Sequence, residues 1–174
     1  IRFLTDGDKL CWPFARAALR PWKQKGPFAV DLAAFGSITV RGDSTDVDTV
    51  RNIFVKHDYQ VPSEAARARL LARMQAIAAE GKVPLIVDAG ANIGAAAIWF
   101  AHEFPAATVL AVEPDPANHA MLRRNAEHRA RIEPVEAAIG SEPGTVVIED
   151  HGGADAVRTV ASETGIAMLT MDNL

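Results

Sequence analysis

An acidic, glycine-rich loop stands out among the polar residues of this sequence, and it runs from Asp88 to Gly94. An apolar run precedes this 88–94 loop, and an apolar helical segment follows it. Glycine allows a sharp turn and lets ligand atoms approach the backbone, while the next helix offers free N–H groups and a positive dipole end. Asn92 stands where a dinucleotide fingerprint has its second glycine, and asparagine tolerates a positive φ. The loop therefore predicts a nucleotide-like ligand.

Two acidic residues narrow the choice of ligand. Asp88 ends the predicted strand before the loop, and its charge favours a cationic ligand such as S-adenosylmethionine while repelling a pyrophosphate. Glu113 ends the next predicted strand, near the spacing expected for an acid that accepts hydrogen bonds from ribose hydroxyls. A carboxylate suits a diol because both of its oxygens accept. NAD binding remains an alternative, as does a Rossmann-like domain whose site is unused.

Alternating strands and helices must position these residues. Beyond residue 83 short apolar runs alternate with helical segments, and this order implies right-handed crossovers and a parallel sheet. A ligand in such a sheet binds outside the carboxyl ends of the strands. The predicted strands are 83–87, buried on both faces, then 108–112, 132–139, 145–149, 156–161 and 167–171. The predicted helices are 94–103 and 115–128.

Residues 1–83 form a mixed α/β lead-in, and residues 84–174 form the ligand-binding domain in this interpretation. Ser63 is a plausible N-cap for the clearest helix of the lead-in, and Gly81 is a stop signal after it. The predicted lead-in elements are a helix at 13–20, a hairpin of 28–32 with 37–41, and helices at 46–59 and 65–79.

The composition excludes several classes of protein. The chain has 174 residues, about half of them apolar, and a net charge of −4, which is a poor basis for binding nucleic acid. No apolar run approaches the roughly 20 residues that a membrane helix needs. The start of the chain lacks a secretory-signal pattern, and the single cysteine, Cys11, precludes an internal disulfide. A cytoplasmic location is therefore predicted, while the oligomeric state stays open.

On these residues the sequence resembles the FkbM family of S-adenosylmethionine-dependent methyltransferases. The resemblance covers roughly residues 37–174. The matching segments are 85–94, 112–116, 138–140 and 170–174, with Ser44, Thr45, Asp46, Ile53, Phe54 and Tyr59 upstream. The resemblance implies a Rossmann-like class I methyltransferase fold, with helices on both faces of the parallel sheet. It also implies O-methylation of a small-molecule or sugar-like hydroxyl, with S-adenosylhomocysteine as the product.

The resemblance also implies a role for each site residue. The 88–94 loop would hold the methionine part of the cofactor, and Glu113 would bind the ribose. The residues at the ends of the strands predicted at 108–112 and 132–139 would lie near the adenine. A sheet-edge or surface role for Glu136 is the alternative. The residues assigned to cofactor binding are Asp88, Ala89, Gly90, Ala91, Asn92, Gly94, Glu113, Pro114, Asp115, Glu136 and Ala137.

No catalytic residue is assigned, and no metal is predicted. The five histidines do not pair with each other or with cysteine at metal-ligand spacing. His57 precedes Asp58, a pair that suits either a general base or the polar end of a helix. Methyl transfer from a sulfonium is a direct displacement in which positioning supplies much of the rate, so a base is needed only for a poorly ionised hydroxyl.

The sequence departs from the family pattern at its end. The family continues into a Lys-x-Asp-x-Glu-Gly-like motif and further strands, whereas this chain stops at Leu174. We therefore expect an incomplete sheet and an incomplete acceptor side, in either a fragment or a short relative. Two functions follow from the sequence: a methyltransferase acting on a small-molecule acceptor, or a non-catalytic module that binds a nucleoside or a partner protein.

Overall fold

The computed structural model describes residues 26–150 and 157–173, so the helix predicted at 13–20 lies outside the described residues. The helices are α1 (Asp46–Phe54), α2 (Glu64–Ala79), α3 (Ala95–Glu103) and α4 (Pro116–Ala126). The strands are β1 (Pro27–Asp31), β2 (Ser37–Arg41), β3 (Leu85–Ala89), β4 (Thr108–Val112), β5 (Ile132–Val135), β6 (Ala138–Ile139), β7 (Gly144–Asp150), β8 (Val157–Ala161) and β9 (Ile166–Leu169).

A parallel three-stranded sheet in the order β3-β4-β5 forms the centre of the molecule, which confirms the predicted α/β class. Val109 and Ala111 belong to the hydrophobic core, Ile86 packs against it, and helix α3 packs against all three strands. At the alternate positions of β3 and β4, Leu85 is exposed and Leu110 is partly exposed, whereas Val112 is buried. The arrangement is compatible with a Rossmann-like fold, and helices on both sheet faces stay a prediction.

The first strand of this sheet differs from its prediction. A strand at 83–87 buried on both faces is wrong, because the strand is Leu85–Ala89 and Leu85 is 52% exposed. Val83 lies before the strand and is also exposed. Among the described residues β3 pairs only with β4, so it lies at the sheet edge. An apolar run indicates a strand, but it does not show how many neighbours the strand has.

A second sheet was only partly predicted. Residues 132–139 form two strands rather than one: β5 joins the parallel sheet, and β6 pairs with β9 in a sheet of order β6-β9-β7-β8. Within it β7 lies antiparallel to both β8 and β9. The last three predicted strands are confirmed, with bounds that shift by one or two residues. No helix among the described residues is long and apolar enough to span a membrane.

The lead-in contains the predicted hairpin and two helices. Strands β1 and β2 pair antiparallel, and the Ser63 side chain accepts a hydrogen bond from the Ala66 N–H as the N-cap of α2. The helix predicted at 46–59 ends at Phe54, and His57 beyond it has a left-handed φ of 59°. A left-handed residue cannot continue a right-handed helix.

Polar contacts join the lead-in to helix α4. The Asn125 side chain on α4 accepts a hydrogen bond from the Thr39 N–H and donates to the carbonyls of Thr39 and Ile93. The Arg41 guanidinium donates to both oxygens of the fully buried Asp46 carboxylate. Apolar residues of the hairpin, α1, α3 and α4 share one core. The lead-in therefore packs directly on the helices that follow the 88–94 loop.

Candidate functional site

The two predicted acidic residues lie at the same end of the parallel sheet, namely the end where its strands finish. Asp88 lies near the end of β3, where it is opposite Ala111 of β4, and Glu113 directly follows β4. Both side chains are buried, with exposures of 7% for Asp88 and 6% for Glu113. Because parallel strands all finish at the same end of the sheet, the two carboxylates lie close together at the carboxyl ends of the strands.

The loop between them has the turn conformations that its sequence predicts. Gly90, Asn92 and Gly94 all have left-handed φ values, of 82°, 51° and 86°. Asn92 thus adopts the conformation expected for an asparagine that replaces a glycine. Gly94 is also required for space, because a Cβ there would lie 2.6 Å from Cδ1 of Leu122. The turn brings the start of α3 close to the end of β3.

Glu113 joins the loops that follow the two strands. One of its carboxylate oxygens accepts a hydrogen bond from the Asn92 N–H at 2.7 Å, and the other accepts from the Asp115 N–H at 3.0 Å. Each carboxylate oxygen has a second lone pair, so both remain able to accept a hydroxyl. Glu113 is therefore a rigidly held acceptor, as a ribose-binding acid must be.

Asp88 has a less satisfied environment. Its carboxylate accepts a hydrogen bond from the Ala97 N–H, while Oδ2 is buried and has no hydrogen-bond partner among the described residues. Burial, followed by the negative charge of Glu113, raises the pKa of Asp88 from 3.8 to about 6, although the Ala97 hydrogen bond opposes this rise. A cationic group at this position would supply the missing partner and favour the ionised form.

The backbone of the loop is poorly arranged for a phosphate. The N–H groups of Gly90 and Ala91 both donate to the Val112 carbonyl, and the Gly94 N–H donates to the Ala91 carbonyl. The Asn92 N–H donates to Glu113, as described above. A phosphate cradle needs such N–H groups to be free for the ligand. These four N–H groups are therefore already bonded within the protein and would have to be released before they could bind a phosphate.

The remaining predicted residues lie beside these two acids. Asp115 is the N-cap of α4, where its side chain accepts from the Asn118 N–H at 2.8 Å, and Pro114 lies between it and Glu113. The Glu113 N–H donates to the Val135 carbonyl at the end of β5. Glu136 and Ala137 follow directly and are exposed and buried, respectively. The structure therefore brings all the predicted segments to the same end of the sheet.

One buried residue at this end was not predicted from the sequence. His119 on α4 is 8% exposed, and its Nδ1 lies 3.3 Å from Oε2 of Glu136. Its position on the helix was a usable signal, because His119, Leu122 and Ala126 share one helical face and are all buried. The contact gives Glu136, which is half-exposed, one specific neighbour.

Buried polar atoms without partners concentrate at this site. Five buried polar side-chain atoms of the described residues have no hydrogen-bond partner: Asp88 Oδ2, Asn92 Oδ1 and His119 Nε2 lie at this site, and Arg51 Nε and Asn52 Oδ1 lie on α1. Buried polar groups are almost always hydrogen-bonded in folded proteins, so an unpaired one marks a place for a ligand or a water. His57, in contrast, lies in an exposed turn after α1, which suits the interpretation as a helix end. No group of three or more potential metal ligands occurs among the described residues.

A comparison with known proteins indicates a relationship to methyltransferases. The chain is 35% identical over 66 residues to methyltransferase sdnD of Sordaria araneosa, a match that covers 36% of this chain. The match spans about a quarter, 26%, of the length of that protein. No family model matches the chain, and no solved structure matches it. Membership of the FkbM family therefore stays a prediction.

Proposed function

We propose that this chain is part or all of an S-adenosylmethionine-dependent methyltransferase that methylates a hydroxyl of a small-molecule or sugar-like acceptor. The observation that carries the proposal is the pair of buried carboxylates, Asp88 and Glu113, at the ends of adjacent parallel strands. The similarity to a fungal methyltransferase supports the same assignment. The choice of a hydroxyl acceptor rests on the sequence resemblance alone.

Asp88 and the 88–94 loop would hold the methionine part of the cofactor. The unpaired Oδ2 of Asp88 is an acceptor of the right charge for the ammonium or the sulfonium group. Glu113 would accept from the ribose hydroxyls with the lone pairs that Asn92 and Asp115 leave unused. These residues fit a cationic nucleoside, because they combine a buried negative charge with a diol acceptor.

The adenine would lie at the adjoining strand end. Pro114 and Asp115 follow Glu113, and Glu136 and Ala137 follow β5, so both segments border the same side of the site. His119 would hold Glu136 in position through its Nδ1 contact. The Glu136 carboxylate would then lie near the adenine, where it could accept a hydrogen bond from the exocyclic amino group.

NAD fits the same residues less well. A pyrophosphate would meet the buried charge of Asp88, and it would have to replace hydrogen bonds that the loop N–H groups already make to Val112 and Glu113. S-Adenosylmethionine requires neither change, and when bound it supplies an electrophilic methyl group. The chain's own contribution to the chemistry would be to bind the donor, fix its direction and exclude water.

Substitution of Glu113 tests the proposed ribose contact. Glu113→Ala should weaken S-adenosylhomocysteine by about 10- to 100-fold, because charge-assisted hydrogen bonds of this kind contribute about 1.5–3 kcal/mol. Glu127→Ala is the matched control, since Glu127 is an exposed glutamate just after α4. Circular dichroism of both variants checks folding. Equal affinities for the two variants would show that the ribose is bound elsewhere.

Turnover needs a separate measurement. Incubation of the full chain with S-adenosylmethionine and a panel of hydroxylic acceptors should yield S-adenosylhomocysteine only when a suitable acceptor is present. Binding of both nucleosides, with no acceptor-dependent product across the panel, would favour the non-catalytic module.

A further inference from the structure

A short turn after α1 brings an aromatic side chain to the candidate site. The chain leaves α1 at Phe54 and reverses through His57, whose φ is 59°. The Gln60 N–H donates to the His57 carbonyl at 2.9 Å, and the Asp58 N–H donates to the Asn52 carbonyl at 3.3 Å. These bonds fix the turn to the end of the helix, and the residue between Asp58 and Gln60 is Tyr59.

The Tyr59 ring packs against two aromatic residues of α3 and is partly exposed. Its centroid lies 5.2 Å from that of Phe100, in an edge-to-face contact, and 6.5 Å from that of Trp99. Both partners belong to α3, the helix whose Ala97 N–H donates to Asp88. Tyr59 is nevertheless 45% exposed. The exposed part of the ring is therefore available to pack against a ligand.

Tyr59 and Asp88 both adjoin helix α3, through Phe100 and Ala97 respectively. Burial raises the pKa of Tyr59, and the negative charges of Asp88 and Asp58 raise it further. The charge of Asp88, whose Oδ2 has no partner among the described residues, therefore acts on the phenol. An aromatic ring and a carboxylate that adjoin the same helix can together bind a compact organic cation.

We propose that Tyr59 and Asp88 together recognise the sulfonium cation at the methyl-donor end of the cofactor. This inference rests on the proposed function. The electron-rich face of the ring attracts a positive charge within about 6 Å, and the carboxylate adds a full negative charge. S-Adenosylhomocysteine has a neutral thioether at this atom. Tyr59 therefore makes the site prefer the methyl donor to the demethylated product, which assists product release.

The ratio of the two affinities tests this role directly. Calorimetry of the full chain should show that Tyr59→Leu weakens S-adenosylmethionine by about 3- to 30-fold and leaves S-adenosylhomocysteine within about 2-fold. Tyr59→Phe keeps the ring and should keep the ratio, as should Gln60→Ala, an exposed neighbour in the same turn. An equal loss of both ligands, or no loss of either, in Tyr59→Leu would overturn the inference.

Failure of this inference can be separated from failure of the proposed function. If the wild-type chain binds neither nucleoside, the proposed function fails and this inference fails with it. If both bind and Glu113→Ala weakens both, an unchanged ratio in Tyr59→Leu refutes the inference alone. If Tyr59→Leu does not fold, Tyr59→Trp carries the test, because tryptophan is the strongest cation–π partner. Tyr59→Trp should keep or raise the preference for S-adenosylmethionine, and a lowered preference would contradict the inference.

Discussion

The buried charge of Asp88 should make the stability of the protein depend on pH. Its pKa rises from 3.8 to about 6 in the folded chain, mainly because of burial and then because of Glu113. The folded state therefore binds this proton more tightly than the unfolded state does. The resulting stability is fully present below about pH 4 and is lost as the pH rises through about 6. A shift of about two pKa units corresponds to about 3 kcal/mol.

Asp88→Asn removes this titration and keeps a side-chain oxygen for the Ala97 N–H. Urea unfolding at pH 4 and pH 7.5 should show that the variant gains about 2.5 kcal/mol over the wild type between these two values, since pH 4 lies just above the unfolded pKa. The same variant should bind S-adenosylmethionine more weakly, because the ligand cation loses its counter-charge. Glu127→Gln, at an exposed position, is the control. If the free energies of unfolding of the wild type and Asp88→Asn change with pH in parallel, burial does not raise the pKa of Asp88 and the prediction is refuted.

Three further substitutions test the framework of the site by urea unfolding. Gly94→Ala should cost about 1–3 kcal/mol, from its left-handed φ and from contact with Leu122, and wild-type stability would contradict this close approach. Asn125→Ala should cost about 2–4 kcal/mol, because it leaves buried backbone groups unpaired; a loss below about 0.5 kcal/mol would mean that water replaces them. Asp46→Ala should lower the free energy of unfolding by about 3 kcal/mol or more, because Arg41 loses its fully buried partner. An unchanged free energy of unfolding would mean that apolar packing alone holds the hairpin.

Local signals predicted the central part of the fold well. The Asp115 cap followed by Pro116 marked the start of α4, and the Ser63 cap marked the start of α2. These signals lie within a few residues of the feature that they predict. The positions of Asp88 and Glu113 at neighbouring strand ends follow from the strand–helix–strand order, since parallel strands end at the same edge.

Contacts between residues that are far apart in the sequence could not be predicted from these local signals. The exposed edge at Leu85 depends on which strands pair with β3, and the switch of Ala138 into a second sheet depends on β9, some thirty residues later. The contact of His119 with Glu136 joins a helix to a strand end, and Tyr59 meets α3 through the packing of the lead-in on that helix. None of these pairs lies close together in the sequence, so periodicity and capping do not reveal them.

The identity of the bound nucleoside is the central claim, and calorimetry of the full chain at pH 7.5 tests it most directly. S-Adenosylmethionine and S-adenosylhomocysteine should each give a saturable heat that Glu113→Ala weakens, whereas NAD should give none, because Asp88 and the internally bonded loop disfavour a pyrophosphate. Saturable binding of NAD, with no heat from either sulfur nucleoside, would contradict the account.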